Sequence, residues 1–223
     1  MQKLVDGLHI FQSEVFPTHQ ELFNALSKGQ KPETLFITCS DSRILPNMIT
    51  QTKPGDLFIL RNAGNLIPSY GPLSSHSGEA AAIEFAVVAL GVSHIVVCGH
   101  TLCGAIKGLL DPPSLENMPA VKAWLAHAEG TRRVVQENYR HLEGQALLTA
   151  AIEENVLTQL ENLRTHPTVR SRLARNELSL YGWVYKMETG QVFQYDHATG
   201  QFAAVITSQP AVTDVAGARP NVF

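Results

Sequence analysis

The chain opens with apolar side chains at helical spacing. Leu4, Leu8, Phe11 and Val15 recur every three or four positions, which predicts an amphipathic helix. Pro17 is expected to interrupt it. Thr18, with Glu21 three positions on, reads as the N-cap of a second helix that ends near Gly29. The pattern then changes. Residues 34–38 (TLFIT), 56–60 (DLFIL, after the turn pair Pro54 and Gly55) and 94–98 (HIVVC) are compact apolar runs without alternation, as expected of strands buried on both faces. Between the last two lies an alanine-rich helix, residues 77–90, ended by Gly91. Another helix is expected from near Thr101 to Leu110, stopped by Asp111, Pro112 and Pro113. Residues 121–175 are helical by period, with breaks near Gly130, Gly144 and Pro167. Strand character returns at 178–186 (LSLYGWVYK), and residues 191–195 and 201–206 read as short strands after glycine-containing turns.

Strands alternating with helices predict an α/β fold, a single domain with a mostly parallel central sheet flanked by helices. The expected organisation is a helical arm over residues 1–30, the α/β domain over 31–206 and an extended tail over 207–223. The arm is short and stands apart from the core pattern, so it reads as a surface for a partner subunit.

Composition narrows the class without naming a reaction. The 223 residues are 44% hydrophobic and 17% charged with a net charge of −3, ordinary for a globular protein. No basic stripe supports nucleic-acid binding. No apolar run reaches the length of a membrane span. The first 15 residues contain Asp6 and Glu14 and lack an apolar signal core, so a cytoplasmic location is expected. The three cysteines, Cys39, Cys98 and Cys103, do not form a disulfide framework, and in a reducing compartment thiolates are free to bind metal.

Two of those cysteines sit where chemistry is expected. Cys39 directly follows the first buried run and leads into Ser40, Asp41, Ser42 and Arg43. An extended backbone there would point Cys39, Asp41 and Arg43 to one side. His100 follows the run HIVVC, and Cys103 comes three residues later, in what reads as the first turn of a helix. Neighbouring parallel strands can deliver both groups to one point at their carboxyl ends. Two sulfurs and one nitrogen suit zinc, and three protein ligands leave a fourth position for water, as in catalytic sites. Each motif alone is weak; the two together, each between a strand and a helix, are far more specific. Cys98 lies inside a strand and reads as core. A phosphate-binding cysteine loop competes, but Arg43 stands too close to Cys39 for five intervening residues.

The runs CSDSR (39–43), PGDLFILRNAGN (54–65), SGEAAAIEFA (77–86) and GHTLCGAI (99–106) resemble the β-class carbonic anhydrases in order and spacing, over about residues 18–206. The resemblance implies one zinc per subunit on Cys39, His100 and Cys103, with Asp41 and Arg43 as a catalytic pair. It implies reversible hydration of carbon dioxide to bicarbonate, with zinc-bound hydroxide as nucleophile and the Asp41–Arg43 pair controlling the fourth zinc position. Substrate contacts would fall to Gln30, Phe58, Ala63, Phe85 and Gly104, shared between the subunits of a homodimer or a higher oligomer of dimers. The likeness is nearest the plant and cyanobacterial branch, which makes the carboxysome a candidate compartment and its shell or scaffold proteins candidate partners. Members tied to that compartment commonly carry a longer C-terminal region than the residues after Ile206. Two positions depart from relatives: Phe36 stands where some bacterial members have Trp, and Ala89 where some plant members have a His suggested as a proton shuttle. Other readings of the same residues are a non-catalytic zinc-binding assembly or sensing protein of this fold, or a zinc hydrolase acting on a compound such as carbon disulfide.

Overall fold

The computed structural model describes residues 1–72 and 74–205; the tail expected over 207–223 lies outside the described residues. These residues form two compact units, one within Met1–Gln30 and the other Lys31–Val205.

In the first unit, α1 (Gln2–Ile10) passes through a wider turn at Phe11–Val15 into the short α2 (Phe16–Thr18). Pro17 therefore does not interrupt the helix at once; the run continues to Thr18, and the wider turn directly ahead of Pro17 is the kind of distortion that goes with a proline inside a helix. Thr18 does not cap the next helix either. Its hydroxyl donates back to the Val15 carbonyl at 2.8 Å, a bond open to Thr within a helix. The break falls at His19, with φ −117° and ψ 17°, ahead of α3 (Gln20–Leu26). The rings of Phe11, Phe16 and Phe23 meet at centroid distances of 5.2 to 6.2 Å.

The second unit is built on a six-stranded sheet: β1 (Thr34–Cys39), β2 (Leu57–Asn62), β3 (His94–His100), β4 (Ser179–Lys186), β5 (Gln191–Asp196) and β6 (Gln201–Ala204). The order is β2-β1-β3-β4-β5-β6. The first four strands are parallel and the last two antiparallel. The fold is thus the expected α/β domain with a mostly parallel sheet flanked by helices. Leu35, Ile37, Ile95 and Val97 are fully buried, which is why β1 and β3 read as unbroken apolar runs. The antiparallel strands follow tight turns at Gly190 and Gly200, both with φ near +70°, a region glycine enters freely.

The helices of this unit are α4 (Pro46–Thr50), α5 (Gly78–Glu84), α6 (Gly104–Leu110), α7 (Pro119–Leu125), α8 (Glu129–Asn138), α9 (Gly144–Thr165) and α10 (Pro167–Ala174). Ser77 caps α5 by accepting the Ala80 N–H at 3.1 Å. The helical run continues through a wider turn, Phe85–Leu90, to Gly91 in the left-handed region. The break expected near Gly130 falls at Ala128, with φ −103° and ψ 17°, just ahead of α8. No described helix is long and apolar enough to cross a membrane.

Helix α9 lies against β3 and β4, and two strand glycines let it come close. A Cβ on Gly182 would stand 2.9 Å from Val156 Cγ1 and 3.0 Å from Leu160 Cδ1; one on Gly99 would stand 3.0 Å from Val156 Cγ2 and 3.1 Å from Ile152 Cγ2. Val in a helix has essentially one rotamer, so Val156 cannot swing away. Gly182→Ala is therefore expected to destabilise the fold by about 1–3 kcal/mol through overpacking. Urea unfolding followed by circular dichroism measures this, and an unchanged midpoint would mean that α9 shifts without cost.

Candidate metal centre

The chain leaves β1 for β2 on one side and later adds β3 on the other. The crevice at the carboxyl ends of β1 and β3 is therefore a topological switch point, where open α/β sheets place their sites. Cys39 ends β1 and His100 ends β3. Cys103 arrives by a route the sequence spacing did not predict. The helix begins at Gly104, not near Thr101, and Cys103 is its N-cap, with φ −64° and ψ 117°. Leu102, at φ 59°, makes the sharp turn that folds Cys103 back toward His100. A branched side chain in the left-handed region is strained backbone, of the kind that clusters at functional sites.

Among the described residues, Cys39, His100 and Cys103 form a cluster whose ligand atoms all lie within 4.8 Å of one another, all three residues being buried. The two sulfurs are 3.9 Å apart. Zinc–sulfur bonds of about 2.3 Å at tetrahedral angles would put them about 3.8 Å apart, so the pair already has the spacing a zinc ion needs. The imidazole is oriented too. His100 Nδ1 lies 2.8 Å from the Thr101 carbonyl, which can only accept, so Nδ1 carries the proton and Nε2 keeps its lone pair. Nε2 is buried without a hydrogen-bond partner, and a metal ion is the partner that suits an orphaned imidazole nitrogen between two sulfurs.

The sulfurs share their charge unequally. A hydrogen bond from the Cys103 thiol, acting against the cost of burial, brings the Cys39 thiol down to about 4, with His100 and the Gly64 N–H adding to the effect. Cys103 is pushed up by its bond to Cys39 and by burial. A divalent cation needs both sulfurs as thiolates, so its binding releases protons from the pair. Cys98 is different: burial alone raises its thiol to about 12, and its exposure is 0%, as expected for a core residue.

Asp41 and Arg43 meet, though not by strand alternation. The strand ends at Cys39, and the Arg43 backbone N–H donates to Asp41 Oδ1 at 3.0 Å across a turn. The guanidinium then grips both carboxylate oxygens, Nε to Oδ1 at 2.9 Å and Nη2 to Oδ2 at 2.7 Å. Side-chain hydrogen bonding from Arg43 holds the Asp41 carboxyl well below the usual carboxylate range. Asp41 Oδ2 stands 4.0 Å from His100 Nε2, at the edge of the cluster.

Two further residues shape the site without having shown themselves in the sequence. Arg61 donates to the carbonyls of Cys39 at 3.1 Å, Asp41 at 2.7 Å and Ile44 at 2.9 Å, bracing the loop that carries the first motif. Thr101, whose carbonyl orients His100, is fixed from the turn after β4: its hydroxyl donates to Glu188 at 2.6 Å and accepts the Met187 N–H at 3.0 Å. No spacing signal marks either one, because both act across long stretches of chain.

The expected substrate contacts are scattered over several elements. Ala63 sits beside Gly64, whose N–H reaches Cys39 Sγ at 3.4 Å. Gly104 opens α6 directly after Cys103, and a Cβ there would meet nothing within 4 Å, so packing does not require glycine. Phe58, in mid β2, and Phe85, after α5, contact each other with centroids 5.9 Å apart. Gln30 is the last residue of the N-terminal segment.

Comparison with known proteins points one way. A family model described as "Carbonic anhydrase" matches residues 34–192. A carbonic anhydrase of Synechocystis sp. is 54% identical over 205 residues, spanning 92% of this chain and 74% of its own. Among solved structures, that of the β-carbonic anhydrase CcaA superposes with a TM-score of 0.89 at 53% identity, covering 92% of this chain and 98% of its own. One of two tetrameric β-carbonic anhydrases of Sordaria macrospora gives a TM-score of 0.77 at 27% identity, covering 86% of this chain and 95% of its own.

Proposed function

The chain belongs to the β-class carbonic anhydrases, zinc enzymes that act on carbon dioxide and bicarbonate, and from that premise we propose how its own residues divide the work. Cys39, His100 and Cys103 hold one zinc ion per chain. The observation that carries this assignment is the convergence of two sulfurs 3.9 Å apart with an orphaned, tautomer-fixed imidazole nitrogen. Zinc there supplies Lewis acidity that makes a nucleophile available from water near neutral pH.

Asp41 acts as a hydrogen-bond acceptor for that nucleophile. Arg43 keeps it ionised and holds Oδ2 at the edge of the cluster, so it accepts a hydrogen bond rather than donating one. An accepted hydrogen bond aims a lone pair of the attacking oxygen at the carbon of carbon dioxide. The same pairing keeps Asp41 off the metal. Released from Arg43, a carboxylate oxygen would take the fourth zinc position and stop turnover, so Arg43 decides between the two states.

Carbon dioxide offers little to hydrogen-bond, so its pocket should be apolar. Phe58, Phe85 and Ala63 are proposed to line it, with the Gly104 N–H and the Gln30 amide meeting the charged product. Phe85 is 48% exposed, an apolar surface that a second copy of the chain would cover. A homodimer, or a tetramer of the kind named for the Sordaria enzymes, is the proposed assembly. Likeness to a carbonic anhydrase of a cyanobacterium is consistent with work in the cytoplasm; the carboxysome, with its shell or scaffold proteins as partners, is proposed only as a place to look.

Stopped-flow hydration of carbon dioxide with a pH indicator tests the assignment. Turnover is expected to rise in proportion to zinc content, up to one ion per chain. A fully zinc-loaded, reduced protein without hydration activity would overturn it.

A further inference from the structure

We propose that Trp124 and Asn155 are positioning residues for the metal centre: they clamp the turn Ala63–Asn65 so that the Gly64 N–H is held against the Cys39 sulfur. The inference rests on the assignment of Cys39 as a zinc ligand.

The Ala63 carbonyl and the Gly64 N–H belong to the same planar unit and point in opposite directions. The N–H end meets Cys39 Sγ at 3.4 Å. The carbonyl end accepts Trp124 Nε1–H at 2.8 Å. The plane is therefore held at both ends, by an indole on one side and the ligand sulfur on the other. The next peptide is held as well, because the Gly64 carbonyl accepts Asn155 Nδ2 at 3.0 Å. Gly64 itself has φ +81°, and a Cβ on it would stand 3.3 Å from Ala105 Cβ. A side chain on residue 64 would be strained by both the backbone and that contact, and the turn keeps its shape through its two clamps.

Asn155 is in turn fixed from behind. Its Oδ1 accepts Gln159 Nε2 at 3.0 Å, and Gln159 Oε1 accepts the Ile67 N–H at 2.7 Å. Asn155 is 1% exposed and Gln159 0%. Buried amides stabilise nothing unless they are fully bonded, and apolar side chains of similar size would fill the same space at lower cost. This pair runs along α9 and ends on the turn beside the metal ligand, so its geometry serves the turn.

An N–H aimed at a thiolate draws charge toward itself, so the sulfur holds its electrons more tightly, and it fixes the direction in which the sulfur faces the metal. Such partners of a ligand tune both metal retention and metal electronics, and their loss costs about 10–100-fold in affinity or activity. Trp124 touches neither the metal ligands nor the substrate in this reading; it acts through the Ala63–Gly64 peptide.

The test uses cobalt(II)-substituted and zinc-loaded protein. Trp124→Phe keeps the ring and removes only the Nε1–H. In this variant the sulfur-to-cobalt charge-transfer band is expected to move to lower energy, because the sulfur holds its electrons less tightly. Zinc transfer to a chromophoric chelator is expected to be faster by about tenfold or more, because the sulfur is no longer held in place. Asn155→Leu should move both readouts in the same way and serves if Trp124→Phe does not fold. Asn162→Leu is the control for a merely structural loss. Asn162 donates to the Ile67 carbonyl at 2.8 Å, further along the same loop, and at 3.3 Å to Gln159 Oε1, which keeps its shorter bond from the Ile67 N–H; its loss should lower stability while leaving the band in place. A band and transfer rate at wild-type values in both Trp124→Phe and Asn155→Leu would overturn the proposal, as would an equal shift in Asn162→Leu. The ligand assignment fails separately: in that case Cys39→Ser would retain its zinc, and the present inference would fall with it.

Discussion

Cys39→Ser is expected to lose zinc and turnover together, with kcat/KM falling on the order of a thousandfold or more, since the Lewis acidity it removes is worth several kcal/mol. The change is nearly isosteric, but a serine hydroxyl stays protonated where a thiol here is brought down to about 4. Only His100 and Cys103 would remain, and two ligands do not hold zinc against solvent in a site built for three. The fold should survive. Arg61 still has the carbonyls of residue 39, Asp41 and Ile44 to bind, and the core strand Thr34–Cys39 keeps its buried apolar side chains. Metal analysis of the purified variant beside its far-ultraviolet circular dichroism separates loss of metal from loss of structure. A folded variant that retains one zinc per chain would overturn the ligand set.

How far the site could be read in advance depends on how local its causes are. β1 and β3 were legible because their side chains are buried on both faces, so Leu35, Ile37, Ile95 and Val97 leave unbroken apolar runs. The start of α6 was not. Leu102 turns the chain at φ 59°, and nothing about a leucine announces a left-handed residue. The motif spacing pointed to the right side chains for a helical reason that does not hold, since Cys103 is a cap and not part of a helical turn. Asp41 and Arg43 likewise come together through a turn closed by their own hydrogen bond, not through strand alternation.

The least legible layer is the polar seam on α9. Asn155, Gln159, Asn162 and His166 recur at helical spacing, and such a stripe ordinarily reads as the solvated face. In the fold it faces the loop after β2, donating to or accepting from Gly64, Ile67 and Pro68. The seam makes sense only once that loop lies across the helix. Gly99 and Gly182 are similar: each reads as a weak spot in a strand until the helix that presses on it is in place.

Asp41→Ala is expected to keep zinc at one per chain and lower kcat/KM by about 10²–10³-fold, the range for removal of one positioned hydrogen-bonding group at a reacting centre. The ligand sulfurs and His100 do not depend on the carboxylate, whose nearest approach to the ring is 4.0 Å. Unchanged turnover would remove Asp41 from the mechanism. Arg43→Met separates the two roles given to the pair. Without the guanidinium, Asp41 loses the bonds at 2.9 and 2.7 Å that hold it to the side. If it then takes the fourth zinc position, the cobalt(II)-substituted variant should fail to bind a small anion such as thiocyanate, which the wild-type protein should bind. The Asp41→Ala, Arg43→Met double variant should recover anion binding without recovering turnover. Recovered anion binding argues that Arg43 acts by restraining Asp41, because an arginine needed for the anion itself would leave the double variant as closed as the single one. Anion binding retained in Arg43→Met alone would show that the carboxylate stays off the metal by other means, and the switch would then have to be abandoned.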